Sequence, residues 1–366
     1  MRIKKIKILF IIPTLTGGGA ERVITTLLNC LDRKIFSPVL AVVDTRDAVF
    51  KKHLPTDIEL IDLQAKRVIF SIPKLLRLIW SIRPDIVFST LSHLNLAMAC
   101  IRFALPRKSV YIARETIVVS YNIKNYECSW LWALAYKLFY HNYDLVICQS
   151  LDMKNDLIKS FGFPDGKAVT IHNPLDIDAI NTSKLASGSP YTSGPYQLVT
   201  AGRLVSQKGF DLLINALSLL GDKNIHLTVL GVGSLESELK QLASWLEVGN
   251  KIDFVGFQNE PYHWFANADA FILSSRYEGF PNVVLEALAC GTPVIATPAP
   301  GGVKEILSSI KECVIAEDIS AESLAKAIDA WLSGERKRVN QDVVSSYDVS
   351  TIVKRYEQVF ISMMDR

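Results

Sequence analysis

The stretch SSRYEGFPNVVLEALACGTPV (residues 274–294) predicts a loop, then a helix, then the start of a strand. It directly follows the apolar run AFIL and places Glu278 in the loop and Glu286 inside the helix. Pro281 suits the first position of a helix, and Gly291 is typical of a helix end. A buried strand, a helix and a second buried strand in this order form the repeating unit of a parallel α/β sheet.

The same alternation extends in both directions along the chain. The apolar runs that predict strands are KILFII, VLAVV, DIVFS, VYIA and DLVIC in the first half, and YQLVTAG, IHLTVLG, IDFVG, AFILS and PVIAT in the second. Helical patterns are predicted at 20–31, 72–82, 94–103, 128–143, 151–161, 209–220, 235–245, 262–266, near 303, at 321–332 and at 350–364. Because the runs are nearly continuous rather than alternating, the strands are expected to be buried on both faces of parallel sheets.

A segment rich in Gly, Ser and Pro, residues 183–196, separates two such series. We therefore expect an α/β protein with two Rossmann-like, doubly wound domains facing a central cleft. The expected boundaries are 1–185 for the first domain and 186–345 for the second. A C-terminal helix in 346–366 is expected to extend the second domain or to pack back on the first. Ligands of such sheets bind beyond the carboxyl ends of the strands.

Composition narrows the class of partner. The net charge of +3 divides unevenly, because residues 1–185 hold 25 Lys and Arg against 16 Asp and Glu, whereas residues 186–366 hold 15 against 21. A basic first half favours an anionic partner. The basic residues accompany no nucleic-acid-binding motif, so an anionic membrane surface is the expected partner and nucleic acid is not.

The six cysteines show no metal-ligand spacing, which predicts reduced thiols and no metal site. The basic and apolar start resembles a signal peptide, but the apolar run is short and GGGAERV follows it, so a buried first strand is expected. No apolar stretch is long enough for a membrane span. The stretch CSWLWALAYKLFYHNY (128–143) has two interpretations: an ordinary core helix, or a helix lying on a membrane surface.

Three segments that follow predicted strands could carry a ligand site. In the first, Gly17, Gly18 and Gly19 allow close approach of the backbone and precede a helix start, where an anion is favoured. A structural turn is the alternative, since one glycine-rich turn is a weak signal. In the second, AGRLVSQKGF, the cations Arg203 and Lys208 suit a diphosphate, although two solvated loop cations would look the same.

The third segment is the opening stretch. Gly279 is expected to adopt an unusual backbone angle, and Glu286 to lean back toward the helix start. Two carboxylates beside helix-start amides can bind sugar hydroxyls, whereas a solvated loop charge and a surface helix charge are the plain alternative. The candidate residues at this helix start are Phe280, Pro281, Asn282 and Val283.

Together these motifs resemble the retaining glycosyltransferases of family 4, which have the GT-B fold. The resemblance rests on the Glu278 and Glu286 pair, the Arg203 and Lys208 pair, GGGAERV and EALACGTPVIAT. It implies that Arg203 and Lys208 clamp the diphosphate as catalytic groups, that Glu278 holds the donated sugar, and that Glu286 holds the ribose. It further implies that 1–185 is an acceptor-binding domain and 186–345 a nucleotide-sugar-binding domain. Donor contacts at Gly18 and Gly19, and no metal or other cofactor, are also implied. Phe257 and Gln258, after IDFVG, are the candidates for the base pocket.

The resemblance is incomplete on the acceptor side. Many relatives have a histidine after the fourth strand of the first domain, whereas this loop has ARETIVV, with Thr116 in that position beside Arg114 and Glu115. His93 is a further candidate for contacts with the acceptor.

The expected activity is transfer of a hexose or N-acetylhexosamine from a UDP-sugar, with retention, to a polyprenyl-diphosphate-linked glycan in polysaccharide or O-antigen biosynthesis. No carboxylate is left over as a nucleophile, which favours front-face substitution. The expected location is cytoplasmic, peripheral on the inner face of the cell membrane. The alternatives are a nucleotide-sugar epimerase or phosphorylase of the same fold, and a non-catalytic nucleotide-sugar-binding protein.

Overall fold

The computed structural model describes residues 4–16, 18–46, 48–184, 188–191 and 194–365. The chain divides into two compact units, Met1–Pro174 with Val349–Arg366, and Leu175–Asp348. Each unit is an α/β sandwich around its own parallel sheet. The predicted pair of doubly wound Rossmann-like domains is therefore confirmed.

The first unit is built on a seven-stranded sheet of order β3-β2-β1-β4-β5-β6-β7, in which every described pairing is parallel. Its strands are β1 Ile6–Ile12, β2 Phe36–Val42, β3 Glu59–Asp62, β4 Ile86–Thr90, β5 Val110–Arg114, β6 Leu145–Cys148 and β7 Ala168–Thr170. Its helices are α1 Gly19–Cys30, α2 Val68–Ile82, α3 Ser92–Ile101, α4 Val119–Ile123, α5 Ser129–Phe139, α6 Leu151–Phe161 and, from the C-terminus, α14 Val349–Met364.

Side chains of β1 alternate between the two faces of this sheet. Ile8, Phe10 and Ile12 pack into a core shared with α1 and α14, whereas Leu9 and Ile11 pack into a second core on the other side. Both faces of the strand are therefore buried, which is why its sequence is continuously apolar.

The second unit has a six-stranded sheet of order β10-β9-β8-β11-β12-β13. Its strands are β8 Tyr196–Ala201, β9 Ile225–Leu230, β10 Ile252–Gly256, β11 Ala270–Leu273, β12 Val294–Ala296 and β13 Val314–Ile315. Its helices are α7 Ile177–Lys184, α8 Phe210–Leu219, α9 Glu236–Trp245, α10 Tyr262–Asn267, α11 Asn282–Ala289, α12 Val303–Leu307 and α13 Ala321–Ser333.

The boundary between the units differs from the expected one. The chain leaves the first unit after Pro174 rather than at 185, because α7 packs on α10 and α11 of the second unit. The backbone N–H of Leu175 also donates to the Tyr347 carbonyl at 2.8 Å, within the second unit. The chain returns after Asp348, and α14 then buries Tyr356 and Phe360 against the first sheet.

Several elements depart from the sequence prediction. Helix α2 begins four residues before the predicted start at 72 and contains Pro73. The short strands β3, β7 and β13 and the helices α4 and α7 were not predicted. Part of the predicted linker, 185–187 and 192–193, and Gly17 of the glycine-rich turn lie outside the described residues.

Candidate active site

The loops that carry the predicted donor site leave neighbouring strands of the second sheet. β8 and β11 are adjacent at its centre, and the chain continues outward from β8 through β9 to β10, and from β11 through β12 to β13. The loops after β8 and β11 therefore diverge at the topological switch point, which is where open α/β sheets bind ligands.

Lys208 and Glu278, one from each of these loops, form an ion pair. Lys208 Nζ lies 2.6 Å from Glu278 Oε1, and the two side chains are 17% and 7% exposed. Ser275 Oγ donates to the same oxygen at 2.5 Å. The two residues are seventy positions apart in the chain, so the sheet topology brings this pair together. Every described hydrogen bond to the Glu278 carboxylate ends on Oε1.

Arg203 lies in the loop between β8 and α8 and is exposed to solvent. The neighbouring Leu204 is fully buried, and its N–H donates to the Val232 carbonyl at 3.0 Å. Among the residues that the structure describes, Arg203 has neither a side-chain hydrogen bond nor an ion pair. Leu204 thus anchors the loop, while the guanidinium of the adjacent Arg203 extends into solvent.

Two glycines let these loops approach one another. At Gly209, which begins α8 with φ +62°, a Cβ would overlap the Ser274 carbonyl oxygen. At Gly301, in the loop after β12, φ is +121° and a Cβ would lie 2.6 Å from the Glu278 carbonyl oxygen. The Glu278 N–H also donates to the Pro300 carbonyl at 2.8 Å. Gly279, for which an unusual backbone angle was expected, is not among the described glycines with positive φ.

Helix α11 presents the second predicted carboxylate. Pro281 is the N-cap of this helix rather than its first residue, and Glu286 lies in it with only 5% exposure. Phe280 is buried and its ring lies 5.5 Å from that of Tyr347, so the backbone of Phe280 is the part that a donor can contact. Asn282 and Val283 are partly buried in the first turn.

The two base-pocket candidates follow the edge strand β10. Phe257 is 59% exposed and Gln258 is partly buried. The preceding Gly256 has φ +84°, and its carbonyl accepts the Gly231 N–H at 2.8 Å. An exposed aromatic ring held at the edge of the sheet is a surface on which a planar base can stack.

In the first unit, the candidates after β1 lie at the start of α1. Gly18 is the N-cap of this helix and Gly19 its first residue. Glu21 is 7% exposed and accepts from Thr14 Oγ1 at 3.3 Å. A Cβ on Gly18 would overlap the end of the Glu21 side chain, so a larger residue here would require the Glu21 carboxylate to move.

Arg114 is fully buried rather than exposed toward an acceptor. It donates to Asn173 Oδ1 at 2.7 Å and to Tyr356 Oη at 3.1 Å. A charged side chain inside a core requires such partners, and Arg114 uses its donors to brace the end of β5.

Glu115 is also fully buried, on the other face of the sheet. It accepts hydrogen bonds from Ser92 Oγ at 2.7 Å, from Asn95 Nδ2 at 3.2 Å, and from the hydroxyl groups of Tyr136 and Tyr140. Burial raises the pKa of its carboxyl above the ordinary value, and these hydrogen bonds oppose that shift. Of the four acceptor-side candidates, partly buried Thr116 and exposed His93 are therefore the ones that solvent reaches.

Helix α5 has one buried face and one exposed face. Tyr136 is buried in the core, whereas Trp130 and Leu138 are 65% and 61% exposed, and Leu131 and Leu134 are also exposed. Lys137 lies among these apolar groups. One face of this helix is therefore core and the other is an exposed apolar face with a cation.

Helix α2 carries a second such face, which the sequence analysis missed. Ile69 and Phe70 are each 65% exposed and Trp80 is 50% exposed. Residues 66–83 hold five lysines and arginines and no acidic residue. This local excess of positive charge in an apolar helix is the sequence signal that could have predicted the exposed face. Both α2 and α5 pack against α3. We call the exposed apolar residues of α2 and α5, together with the lysine and arginine residues of these two helices, the aromatic–basic surface.

Within the described ranges, no helix is long and apolar enough to cross a membrane. The same residues contain no group of three or more His, Cys, Asp or Glu side chains that could hold a metal ion.

Comparison with protein families assigns both units. Residues 17–179 match the model described as Glycosyltransferase Family 4, and residues 185–342 match the model described as Glycosyl transferases group 1. The chain belongs to the family 4 glycosyltransferases. The resemblance inferred from its motifs is thereby confirmed.

Curated relatives of this glycosyltransferase include a Campylobacter jejuni enzyme, N-acetylgalactosamine-N,N'-diacetylbacillosaminyl-diphospho-undecaprenol 4-alpha-N-acetylgalactosaminyltransferase. It is 27% identical over 337 residues, which is 89% of this chain and 90% of that enzyme. An uncharacterized glycosyltransferase of Methanocaldococcus jannaschii is 29% identical over 247 residues, which is 64% of this chain and 60% of that protein.

Solved structures share the fold of this glycosyltransferase. A glycosyltransferase from Rickettsia africae matches with a TM-score of 0.78 at 19% identity, covering 99% of both chains. Anabaena HepE in complex with UDP-glucose also matches with a TM-score of 0.78 at 19% identity, covering 97% of this chain and 99% of that one. The expected GT-B fold is confirmed.

Proposed function

We propose that this glycosyltransferase moves a hexose or N-acetylhexosamine from a UDP-sugar, with retention, to a polyprenyl-diphosphate-linked glycan in the synthesis of a surface polysaccharide or O-antigen. The observation that carries the proposal is the Lys208–Glu278 ion pair at the switch point of the second sheet, with exposed Arg203 in the same loop as Lys208. Both loops follow the carboxyl ends of neighbouring strands. The cations suit the diphosphate of a sugar nucleotide, and the carboxylate suits the hydroxyl groups of its sugar.

The two cations have complementary roles toward the diphosphate. Arg203 is exposed and unpaired among the described residues, and a guanidinium can bind two phosphate oxygens at once. Lys208 supplies a point charge. As the bond to the sugar breaks, negative charge grows on the departing phosphate oxygen, and fixed cations stabilise that charge. In this proposal these side chains take the place that a metal ion fills in other transferases.

The carboxylates have complementary roles toward the two sugar rings. Ser275 and Lys208 both bind Oε1 of Glu278, which leaves Oε2 to accept hydrogen bonds from hydroxyls of the transferred sugar. Glu286, at 5% exposure in α11, would bind the ribose hydroxyls. Phe257 and Gln258 would contact the base, and Gly18 and Gly19 would be further donor contacts.

Retention follows if the acceptor hydroxyl attacks the face from which the diphosphate departs. The bond between the anomeric carbon and the phosphate oxygen breaks, a bond to the acceptor oxygen forms on the same face, and the departing phosphate oxygen takes the acceptor proton. A covalent alternative needs a carboxylate nucleophile at the anomeric carbon. Glu278 is engaged by Lys208 and Ser275, which favours a binding role for it.

Two observations support a lipid-linked acceptor. The Campylobacter jejuni relative is named for a diphospho-undecaprenol acceptor. The aromatic–basic surface exposes Trp80 on α2 and Trp130 on α5, and both helices also carry lysine or arginine. Exposed tryptophans and cations on the same helices suit the interface of an anionic membrane. These observations support the proposal that the enzyme is a peripheral protein on the cytoplasmic face of the cell membrane. The UDP-glucose complex of Anabaena HepE supports a UDP-linked donor. The name of the Campylobacter jejuni relative, an N-acetylgalactosaminyltransferase, supports an N-acetylhexosamine as the transferred sugar.

A thermal-shift panel tests the donor assignment. UDP-hexoses and UDP-N-acetylhexosamines should raise Tm, because a ligand that binds only the folded state stabilises it, whereas GDP-mannose should not. Lys208→Ala should abolish the shift, and Lys223→Ala should keep it, because Lys223 forms an exposed ion pair with Asp329 elsewhere in the second unit. An exclusive response to GDP-mannose would overturn the assignment.

Turnover assays test the rest of the proposal. UDP release should depend on an added polyprenyl-diphosphate glycan, should persist in EDTA, and should yield a product whose anomeric configuration by NMR equals that of the donor. Conversion of the UDP-sugar without an acceptor would indicate an epimerase or hydrolase. Binding without any turnover would indicate a non-catalytic protein.

A further inference from the structure

We propose that Arg276, held by Asp211, is a positioning residue that fixes the loop bearing Arg203 and Lys208 to the loop bearing Glu278. The inference rests on the proposed function, because it assigns Arg276 a role in presenting the groups that bind the sugar diphosphate. Arg276 lies between Ser275 and Glu278 in the opening stretch, and the sequence gives it no motif role.

The guanidinium of Arg276 reaches from the loop after β11 into the start of α8. Its Nη1 and Nη2 donate to Asp211 Oδ1 and Oδ2 at 2.8 and 2.6 Å, which is a bidentate pair. Its Nη1 also donates to the Ser206 carbonyl at 2.7 Å. A planar guanidinium with two such partners has a fixed orientation, which a lysine ammonium would not have.

Backbone and side-chain bonds join the same two loops on either side of this pair. The Arg276 N–H donates to the Gln207 carbonyl at 2.8 Å, and Gln207 Nε2 donates to the Tyr277 carbonyl at 3.0 Å. Ser274 Oγ donates to the Lys208 carbonyl at 2.9 Å. Residues 206, 207 and 208 are therefore each bonded to the segment 274–277 that leads into Glu278.

The charge of Arg276 is satisfied within its own unit. Partial burial of Asp211 opposes ionisation, but the hydrogen bonds and the charge of Arg276 hold the pKa of Asp211 below its usual value. Asp211 in turn raises the pKa of Arg276. The Nη1 and Nη2 groups of Arg276 already donate to Asp211 and Ser206. Arg276 therefore acts on the diphosphate by positioning Lys208 and Glu278 rather than by direct contact.

The exposure and position of this pair predict a larger effect on catalysis than on stability. The Arg276 and Asp211 side chains are 33% and 39% exposed, and ion pairs with such exposure contribute little to folding. The hydrogen bond from Arg276 to the Ser206 carbonyl nevertheless lies close to both site residues. Ser206 is two residues before Lys208, and Arg276 is two residues before Glu278. A small displacement of the catalytic loop is enough to lower the rate of a positioned reaction severely.

The test compares Arg276→Ala, Arg276→Lys and Asp211→Asn with Lys208→Ala and Lys223→Ala in the full-length protein. Calorimetry gives the affinity for UDP, steady-state kinetics gives kcat and KM for the UDP-sugar, and a melting curve gives Tm. We expect Arg276→Ala to lower kcat/KM by roughly tenfold to a hundredfold and to weaken UDP binding. Its Tm should stay close to that of Lys223→Ala, Asp211→Asn should act in the same direction, and Arg276→Lys should recover part of the loss.

Wild-type UDP affinity and turnover in Arg276→Ala would overturn the inference, as would a fall in Tm with unchanged kinetics. If Arg276→Ala does not fold, Arg276→Lys and Asp211→Asn decide between the outcomes. Lys208→Ala separates this inference from the function on which it rests. If Lys208→Ala also binds UDP normally, the proposed function fails; if only the Arg276 and Asp211 variants do, the positioning role alone fails.

Discussion

Lys208 Nζ and Glu278 Oε1 lie 2.6 Å apart, so the cation proposed for the phosphate and the carboxylate proposed for the sugar are bonded to each other before any donor binds. The pair neutralises two side chains that are largely withdrawn from water. It also joins the central strands β8 and β11 at their carboxyl ends through their loops.

Removal of one partner of this pair should be costly. Lys208→Ala leaves the Glu278 carboxylate, which is 7% exposed, without its cation, and we expect a loss of about 1–3 kcal/mol in the free energy of unfolding. Glu278→Gln should cost less, because the amide oxygen still accepts from Ser275. In urea unfolding, the double variant should be less destabilised than the sum of the single variants. Strict additivity would show that the two groups do not interact in solution.

The close approach of the loop after β12 predicts a specific effect at Gly301. Gly301→Ala places a Cβ against the Glu278 carbonyl in a backbone conformation that alanine disfavours, and we expect a loss of about 3 kcal/mol or more together with weaker UDP binding. Gly221→Ala is the matched control, because Gly221 also has positive φ, at +56°, but nothing lies within 4 Å of its Cβ position. It should lose roughly 1 kcal/mol and keep UDP affinity. Equal effects of the two changes on UDP binding would contradict the packing argument.

The buried Glu115 predicts a pH dependence of stability. Burial raises the pKa of this carboxyl in the folded state, so the folded protein binds the proton more tightly than the unfolded chain does. Its contribution to stability is therefore present below the unfolded pKa of about 4.3 and is lost as pH rises through the higher folded value.

Glu115→Gln should abolish this loss, because the amide cannot ionise and the neighbouring hydroxyl groups can either donate or accept. We expect the Tm of the variant, relative to wild type, to increase from pH 4 to pH 8. Circular dichroism melts over that range provide the measurement. A decrease in the relative Tm of the variant over the same range would mean that the folded protein favours the ionised carboxylate.

The aromatic–basic surface predicts binding to anionic vesicles. Changing Trp80 and Trp130 together to Ser should reduce co-sedimentation with phosphatidylglycerol vesicles, and added salt should weaken the binding of the wild type. Trp245→Ser is the matched control, because Trp245 is 78% exposed on α9 of the second unit. Equal losses in the control, or equal binding to neutral phosphatidylcholine vesicles, would argue against a specific membrane surface.

The fold was predictable where burial dominates the sequence. β1 and β11 are apolar on both faces, and every such central strand was located from its continuous apolar run. The edge strands β3 and β13 were missed because they have four and two residues and no such run. α7 was missed because its mean composition is polar and only Ile180 is buried.

The site was predictable only in part, for a physical reason. Strand order places Lys208 and Glu278 beyond the carboxyl ends of two neighbouring strands, so a shared site could be expected. Their direct ion pair depends on side-chain rotamers, which a sequence pattern does not specify. Arg114 and Glu115 were expected near an acceptor because they lie beside Thr116, which stands where many relatives have a histidine. Their hydrogen-bond partners come from distant parts of the chain: Tyr356 and Asn173 for Arg114, and Tyr140 for Glu115. These contacts hold both side chains inside the core.

The pairing of Leu175 with Asp348 has a consequence for engineering. The second unit starts and finishes at neighbouring residues, so in covalent terms it is an insert within the first unit. Inserts with adjacent ends can be exchanged between proteins with little disturbance to the host. A chimaera that takes residues 175–348 from a relative with another donor should thus inherit the nucleotide preference of the graft and keep the acceptor of the recipient.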